Sequence, residues 1–203
     1  MVVLRTDFIK CVFVGDDAVG KTSMLMNYAT SRFPTQHVPS VFDNYAGSIC
    51  LGGRYYSLQL IDTLDEGASA EIRRLLYPGA DVIAVCFSVI KPNSFLSVEH
   101  KWIREVRRIM GDIPVILVGT HADLRDDTLV VQKLHSCSQR PVSVEQAEAL
   151  CRRLGVACYT ECSPAMERVV RKLINAALET AFRPKGGWGG GTSGGDSASC
   201  IIL

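Results

Sequence analysis

The stretch Gly15-Asp16-Asp17-Ala18-Val19-Gly20-Lys21-Thr22 constrains this chain more than any other. Its spacing, G-x-x-x-x-G-K-[ST], is that of a phosphate-binding loop. A glycine-hinged turn lets successive backbone N–H groups converge on one concave side and cradle an anion. A helix opening at about Gly20 would point its positive end at the same place. Lys21 could then reach the β- and γ-phosphates of a nucleotide, and the Thr22 hydroxyl could ligate Mg²⁺. A ligand-free glycine turn could carry the same letters, but the flanks argue otherwise. Residues 8–14 form an apolar run suited to a buried strand, and residues 21–30 read as a helix. Strand, loop, helix is the setting the motif requires.

The rest of the chain continues the alternation. Residues 31–44 contain Pro and Ser without clear periodicity, so an exposed loop is expected. Strands are expected over 45–51 and 55–61, with Gly52-Gly53 between them as a hairpin signal. Residues 62–71 read as irregular, and 81–88 as a buried strand. A helix opens at Asn93 or Ser94, lines Phe95, Val98, Trp102, Val106 and Ile109 along one face, and ends at Gly111. Trp102 reads as core. Residues 113–119 form another strand, 124–140 a charged segment with a short exposed helix. Ser143 and Gln146 resemble a capping box for a helix that stops at Gly155. A last strand is expected over 156–161, followed by an amphipathic helix from Met166 to about Phe182. The expected fold is α/β, a phosphate-loop nucleoside-triphosphatase fold: a six-stranded, mostly parallel sheet with one antiparallel strand and helices on both faces. Its ligand belongs at the carboxyl ends of the strands.

Composition narrows the function classes. The formal charge is +1, so nothing recommends nucleic acid as a partner. The eight cysteines are scattered without a C-x-x-C pair, which makes a zinc site an unfavourable reading. Most read as core thiols of a reducing compartment. No signal peptide is expected, because Met1 to Asp7 is short and polar, and the apolar run Val82 to Ile90 is too short for a membrane span.

Three further segments follow strands. Asp62-Thr63 stands where a magnesium-anchoring acid would. Thr120-His121-Ala122-Asp123 offers a carboxylate that could accept the N1–H and N2–H₂ donors of guanine, a pair that adenine lacks. Glu161-Cys162-Ser163-Pro164 could support a base from the backbone. Taken together with Phe33-Pro34, Pro39-Ser40-Val41-Phe42-Asp43-Asn44-Tyr45, Lys101-Trp102-Ile103-Arg104-Glu105-Val106-Arg107 and Ile116-Leu117-Val118-Gly119-Thr120, the chain resembles a Ras-like small GTPase of the Rho family, with a Rac-like switch segment. The resemblance covers about residues 7–183 and the last four.

The resemblance implies a domain at 1–183, an insert helix of the Rho type before Ser143, GTP and GDP as ligands, and Mg²⁺. It implies nucleotide contacts from Gly15, Asp17, Ala18, Val19, Gly20, Lys21, Thr22, Ser23, Phe33, Ser40, Asp62, Thr120, His121, Asp123, Leu124, Ser163 and Pro164. Thr22 and Ser40 would ligate Mg²⁺, with Asp62 acting through water. Effector proteins would meet His37, Val38, Pro39, Ser40, Val41, Phe42, Asp43, Asn44 and Tyr45 in the GTP state. Exchange factors, a dissociation inhibitor and a monomeric state are expected with it.

Departures from the family fall on the chemistry. Asp17 replaces a glycine and should crowd the arginine of an activating protein. Ser40 replaces a threonine, a mild change. Asp65 replaces a glycine whose backbone contacts the γ-phosphate, and Glu66 replaces the glutamine that orients the attacking water; Glu66 and Lys21 are the expected catalytic residues. His121 replaces a lysine that packs over the base. Pro164 removes an N–H that contacts it. The expectation is nucleotide binding with poor activated hydrolysis. The alternative is a pseudo-GTPase that binds partners without cycling. An adenine-specific ATPase is disfavoured by Asp123.

Residues 184–203 are Gly- and Ser-rich, a flexible tail by composition. Cys200-Ile201-Ile202-Leu203 fits a C-terminal C-a-a-X signal, with Leu favouring geranylgeranyl. No Lys or Arg lies between 187 and 199, so a single lipid at Cys200 implies reversible attachment to the cytoplasmic face of a membrane, expected to be the plasma membrane, with a cytosolic pool.

Overall fold

Burial on two faces sets the central strands. In β1 (Phe8–Gly15), Ile9, Cys11 and Phe13 join one core while Val12 and Val14 join the other. This is the alternation of a pleated strand covered on both sides. Every residue of β4 (Val82–Ser88) and β5 (Val115–Thr120) is buried, as expected of strands inside a parallel sheet. The computed structural model describes residues 8–32, 42–51, 54–63 and 70–162. With β2 (Phe42–Leu51), β3 (Arg54–Thr63) and β6 (Cys158–Cys162), the strands lie in the order β2-β3-β1-β4-β5-β6. The five strands from β3 to β6 run parallel, and β2 pairs antiparallel with β3.

Helices cover both faces. On one, α1 (Lys21–Arg32) buries Met24 and Leu25 against Cys11, Phe13 and Cys86. On the other lie α2 (Ala70–Leu76), α3 (Pro92–Ser97), α4 (Ile103–Met110) and α6 (Val144–Leu154). They contribute Val106, Ala147 and Leu150 to a core that includes Trp102, Phe87 and Tyr159. The capping box at Ser143 is formed in both directions: Ser143 N donates to Gln146 Oε1 at 2.9 Å, and Gln146 N donates to Ser143 Oγ at 3.3 Å. Gly155 closes that helix. The exposed helix anticipated in the charged segment is α5 (Thr128–Ser136), which buries none of its residues. Asp127 caps it, accepting from Leu129 N and Val130 N.

Two expectations need correction. Residues 70 and 71 are helical, because α2 starts at Ala70. It is only two turns long and carries Arg73 and Arg74, so it shows no apolar stripe. The helix anticipated from Asn93 or Ser94 starts at Pro92, whose ring already fixes a helical φ. It also passes through a wide π turn, Val98–Trp102, before α4. That turn keeps Val98, Trp102 and Val106 buried together. The helix expected over 166–182 lies outside the described residues. No helix among the described residues is long and apolar enough to cross a membrane. Cys11, Cys86, Cys151 and Cys162 are buried free thiols.

Candidate functional site

The carboxyl ends of β1, β3, β4 and β5 meet at one edge of the sheet. The turn leaving β1 opens at Gly15, where a Cβ would collide with the Cys86 carbonyl oxygen. Only glycine lets the chain leave the strand this close to β4. It re-enters order at Gly20, with φ +89°, where a Cβ would stand 3.0 Å from His121 Cε1. The helix then begins, with Met24 N donating to Gly20 O at 3.0 Å.

Lys21 is 2% exposed. Its ammonium donates to the carbonyls of Gly15 at 2.9 Å and Asp16 at 3.0 Å, so the side chain folds back across the loop. Burial pushes Lys21 below the ordinary lysine range, and nearby Asp62, Asp17 and Asp16 pull it back. The Thr22 hydroxyl donates to Asp62 Oδ2 at 2.5 Å, joining the helix start to the end of β3. Asp62 is fully buried. Beside it, Thr63 Oγ1 donates to Phe13 O at 2.7 Å and ties β3 to β1.

Thr120 ends β5 and is fully buried. Its hydroxyl donates to Val19 O at 2.5 Å, so the loop after β5 is stitched to the phosphate loop. His121 follows in a left-handed conformation, φ +57°. Its Nδ1 lies 3.0 Å from Ser88 Oγ and 3.2 Å from Thr120 Oγ1. Burial lowers its pKa; Lys91 acts in the same direction, and Asp123 opposes it. The ring is therefore a half-buried part of the site rather than an exposed loop histidine. Asp123 is exposed on the single turn Ala122–Leu124, held by Leu124 N donating to His121 O at 3.0 Å.

Three contributors to this site were not singled out in the sequence. Asp16 turns away from the loop's concave side: its Oδ1 accepts from the Trp102 indole N–H at 2.7 Å, with Lys101 Nζ 3.9 Å away. Lys91, after β4, donates from Nζ to Ala18 O at 2.8 Å. Ser88 holds the His121 ring. Each is distant in sequence from the group it touches, and no local motif marks the contact. A cavity of about 490 Å³ flanks the loop, lined by Asp16, Asp17, Lys91, Asn93, Lys133 and Cys137 among others. It includes neither Asp62 nor Asp123 and lies beside the edge where Lys21, Thr22 and Asp62 meet rather than on it.

Gly15, Asp17, Ala18, Val19, Gly20, Lys21, Thr22, Ser23, Asp62, Thr120, His121, Asp123 and Leu124 all belong to the loops and strand ends at this edge. Of the anticipated effector residues, Phe42, Asp43, Asn44 and Tyr45 lie in β2, where Phe42 pairs with Thr63 and Asp43 with Asp62. That register brings the start of β2 to the same edge. Phe33, His37, Val38, Pro39, Ser40, Val41, Asp65, Glu66, Ser163, Pro164 and Cys200 lie outside the described residues.

The donor set tests which ligand fits. A buried ammonium, a hydroxyl on a buried carboxylate and a helix N-terminus suit a phosphate chain with a hard divalent cation. The sequence also matches the Ras family model over residues 10–183. The chain belongs to the Ras family. Its Ras-family domain is that of a small GTP-binding switch, and members of this family bind GTP and GDP, generally with Mg²⁺. The residues at this edge are of the kinds such ligands need: the buried Lys21 ammonium, the Thr22 hydroxyl on buried Asp62, and the exposed Asp123 carboxylate.

Proposed function

We propose that the chain is a Rho-type GTP-binding switch that binds nucleotide but hydrolyses it poorly. One observation carries the reading: an intact Lys21, Thr22 and Asp62 set stands beside a carboxylate at Asp17. Lys21 would bind the β- and γ-phosphate oxygens, and Thr22 would hold the cation with Asp62 behind it through water. Mg²⁺ held there would supply positive charge that neutralises the phosphate oxygens. Asp123 would accept from the guanine edge.

Asp17 brings a side chain and a negative charge to the face where an activator's arginine must approach. In this superfamily that arginine is worth roughly 10³ to 10⁵ in rate. Asp65 and Glu66 add to the same effect. A Rho-type assignment is supported by the Phe33–Tyr45 and Lys101–Arg107 segments and by an exposed helix, α5, ahead of α6. Effectors would then meet residues 37–45. A domain at 1–183 would be tethered by its 184–203 tail through a geranylgeranyl group on Cys200, with a dissociation inhibitor extracting it to a cytosolic pool. Partition of the Cys200→Ser form between membrane and supernatant tests the anchor, and retention on the membrane would refute it.

Nucleotide content tests the switch itself. Protein purified in Mg²⁺ is denatured with acid and the supernatant chromatographed. Mostly GTP is the expected result. Mostly GDP would refute impaired hydrolysis. Empty but folded protein would replace the switch by an interaction module that binds partners without nucleotide.

A further inference from the structure

We infer that Lys91 is a positioning residue for the nucleotide, supplying from the turn after β4 the fixed positive charge that the base loop lacks at His121. The inference rests on the guanine-nucleotide reading of the same site.

The first observation is the contact. Lys91 Nζ donates to the Ala18 carbonyl at 2.8 Å. Ala18 is the exposed tip of the phosphate loop and holds φ +51°, a left-handed conformation that a β-carbon disfavours. None of the described peptide bonds is cis, so each C=O points opposite to the N–H of its own plane. Drawing the Ala18 carbonyl toward Lys91 turns the Val19 N–H to the other side. Thr120 does the same to the next plane by holding Val19 O. Two consecutive donors of the loop are thus oriented from behind, by side chains from two different strand ends.

The second observation is that the lysine is anchored. Its N–H donates to Ser88 O at 3.0 Å, and its carbonyl accepts from Ser94 N at 2.9 Å and Ser94 Oγ at 2.7 Å. Pro92 follows and starts α3. Only the side chain is free to move, and it bridges to the loop.

The third observation concerns His121. Its ring packs over Gly20, and its Nδ1 lies within reach of two hydroxyls. Desolvation and the Lys91 charge both disfavour the imidazolium, with Asp123 the opposing group. A neutral ring there leaves Lys91 to supply positive charge at the corner between the base loop and the phosphate loop, apart from Lys21 at the loop's other end. Asp17 makes that cation valuable, since it adds negative charge to a loop that must receive more.

The test is release of fluorescent mant-GDP, chased with excess GTP, from the full-length chain and from Lys91→Met, Lys91→Arg, His121→Lys and the Lys91→Met/His121→Lys double variant. Lys91→Met should speed release about tenfold, the lower end for a hydrogen bond from a charged group. Lys91→Arg should restore most of the loss. In the His121→Lys background, Lys91→Met should change release less than about twofold, because a cation is again present. Salt gives a second readout: raising it from about 50 to about 500 mM should speed release from the wild type more than from Lys91→Met. Unchanged release in Lys91→Met, or equal acceleration in both backgrounds, overturns the inference while leaving the functional reading intact. Failure of the folded wild type to bind mant-GDP overturns both.

Discussion

The bond between the phosphate loop and the helix layer can be weighed by a double-mutant cycle. Trp102 is 2% exposed, and its indole N–H donates to Asp16 Oδ1 at 2.7 Å. Phenylalanine at 102 keeps an aromatic body in the core but deletes the donor. A hydrogen bond to a charged group contributes about 1.5–3 kcal/mol. The Asp16 side chain is 26% exposed, so water can partly re-solvate it, and about 1.5 kcal/mol is the appropriate end of the range. The smaller ring also leaves a void in a layer shared with Ile103 and Val106, adding about 1–2 kcal/mol. Trp102→Phe should therefore cost about 3 kcal/mol. Asp16→Ala strands a buried indole N–H and should cost about 1–2 kcal/mol. Because both variants lose the same bond, the double variant should fall short of the sum by about 1.5 kcal/mol. The assay is urea unfolding followed by far-ultraviolet circular dichroism. Bound nucleotide stabilises by mass action, so the cycle is run at two GDP concentrations and the coupling must persist at both. Additivity within about 0.5 kcal/mol would refute the bond as the link between loop and helix.

Three further outcomes follow from the site. Asp17→Gly should raise activator-stimulated single-turnover hydrolysis, by up to about 10³-fold at the lower end of what the arginine contributes in this superfamily, because Asp65 and Glu66 remain; an unchanged rate would refute Asp17 as an obstacle to the activator. Thr22→Ala should weaken GDP binding about ten- to a hundredfold in Mg²⁺ and much less in EDTA, since the hydroxyl acts through the cation; equal losses in both would refute that role. His121 titrates below its ordinary value because burial and Lys91 disfavour its charged form. The unfolded chain therefore binds a proton first as pH falls through about 6.5, and the stability this group contributes above that pH is lost toward its lower folded value. His121→Gln should flatten the stability profile over that interval, measured by urea midpoints at closely spaced pH; an unchanged slope would refute a buried neutral ring.

The parts legible in the sequence are those where one local pattern meets one physical demand. Gly15 to Thr22 announces the loop because the spacing itself is the mechanism. Ser143 and Gln146 announce a helix start because both halves of the box lie three residues apart. Burial of Val82–Ser88 on both faces is written as an unbroken apolar run. What stayed hidden depends on encounters across the fold. Nothing near Lys91 says that its amine will reach Ala18, and nothing near Trp102 says that its N–H will find Asp16. Arg73 looks like an exposed charge on a short polar segment. In the fold it is nearly buried, donating to both Glu105 oxygens while Tyr77 donates to the same carboxylate. Burial alone would raise the Glu105 pKa, but Arg73 and Tyr77 hold it below the ordinary carboxylate range. These bonds fix α2 to α4, so α2 is ordered by tertiary partners that its own seven residues do not advertise.

Two adjacent carboxylates in an anion-binding loop look self-defeating, and the fold answers one of them. At an effective dielectric near 20, each unit charge about 4 Å from a phosphate would cost several kcal/mol. Asp16 avoids that cost because Trp102 and Lys101 draw its carboxylate toward the helix layer. The loop's carbonyls are drawn away in the same manner: Gly15 and Asp16 by Lys21, Ala18 by Lys91, Val19 by Thr120. With these four carbonyls committed to protein donors, the N–H groups that share their peptide planes point the opposite way, which is what an incoming phosphate requires. No such device among the described residues holds Asp17. The two adjacent acids therefore differ: Asp16 is tied to the scaffold through Trp102, whereas in the proposed function Asp17 bears on turnover. Substituting Asp16 should register first in stability, and substituting Asp17 first in turnover. A chain in which both changes altered only nucleotide affinity would contradict that division.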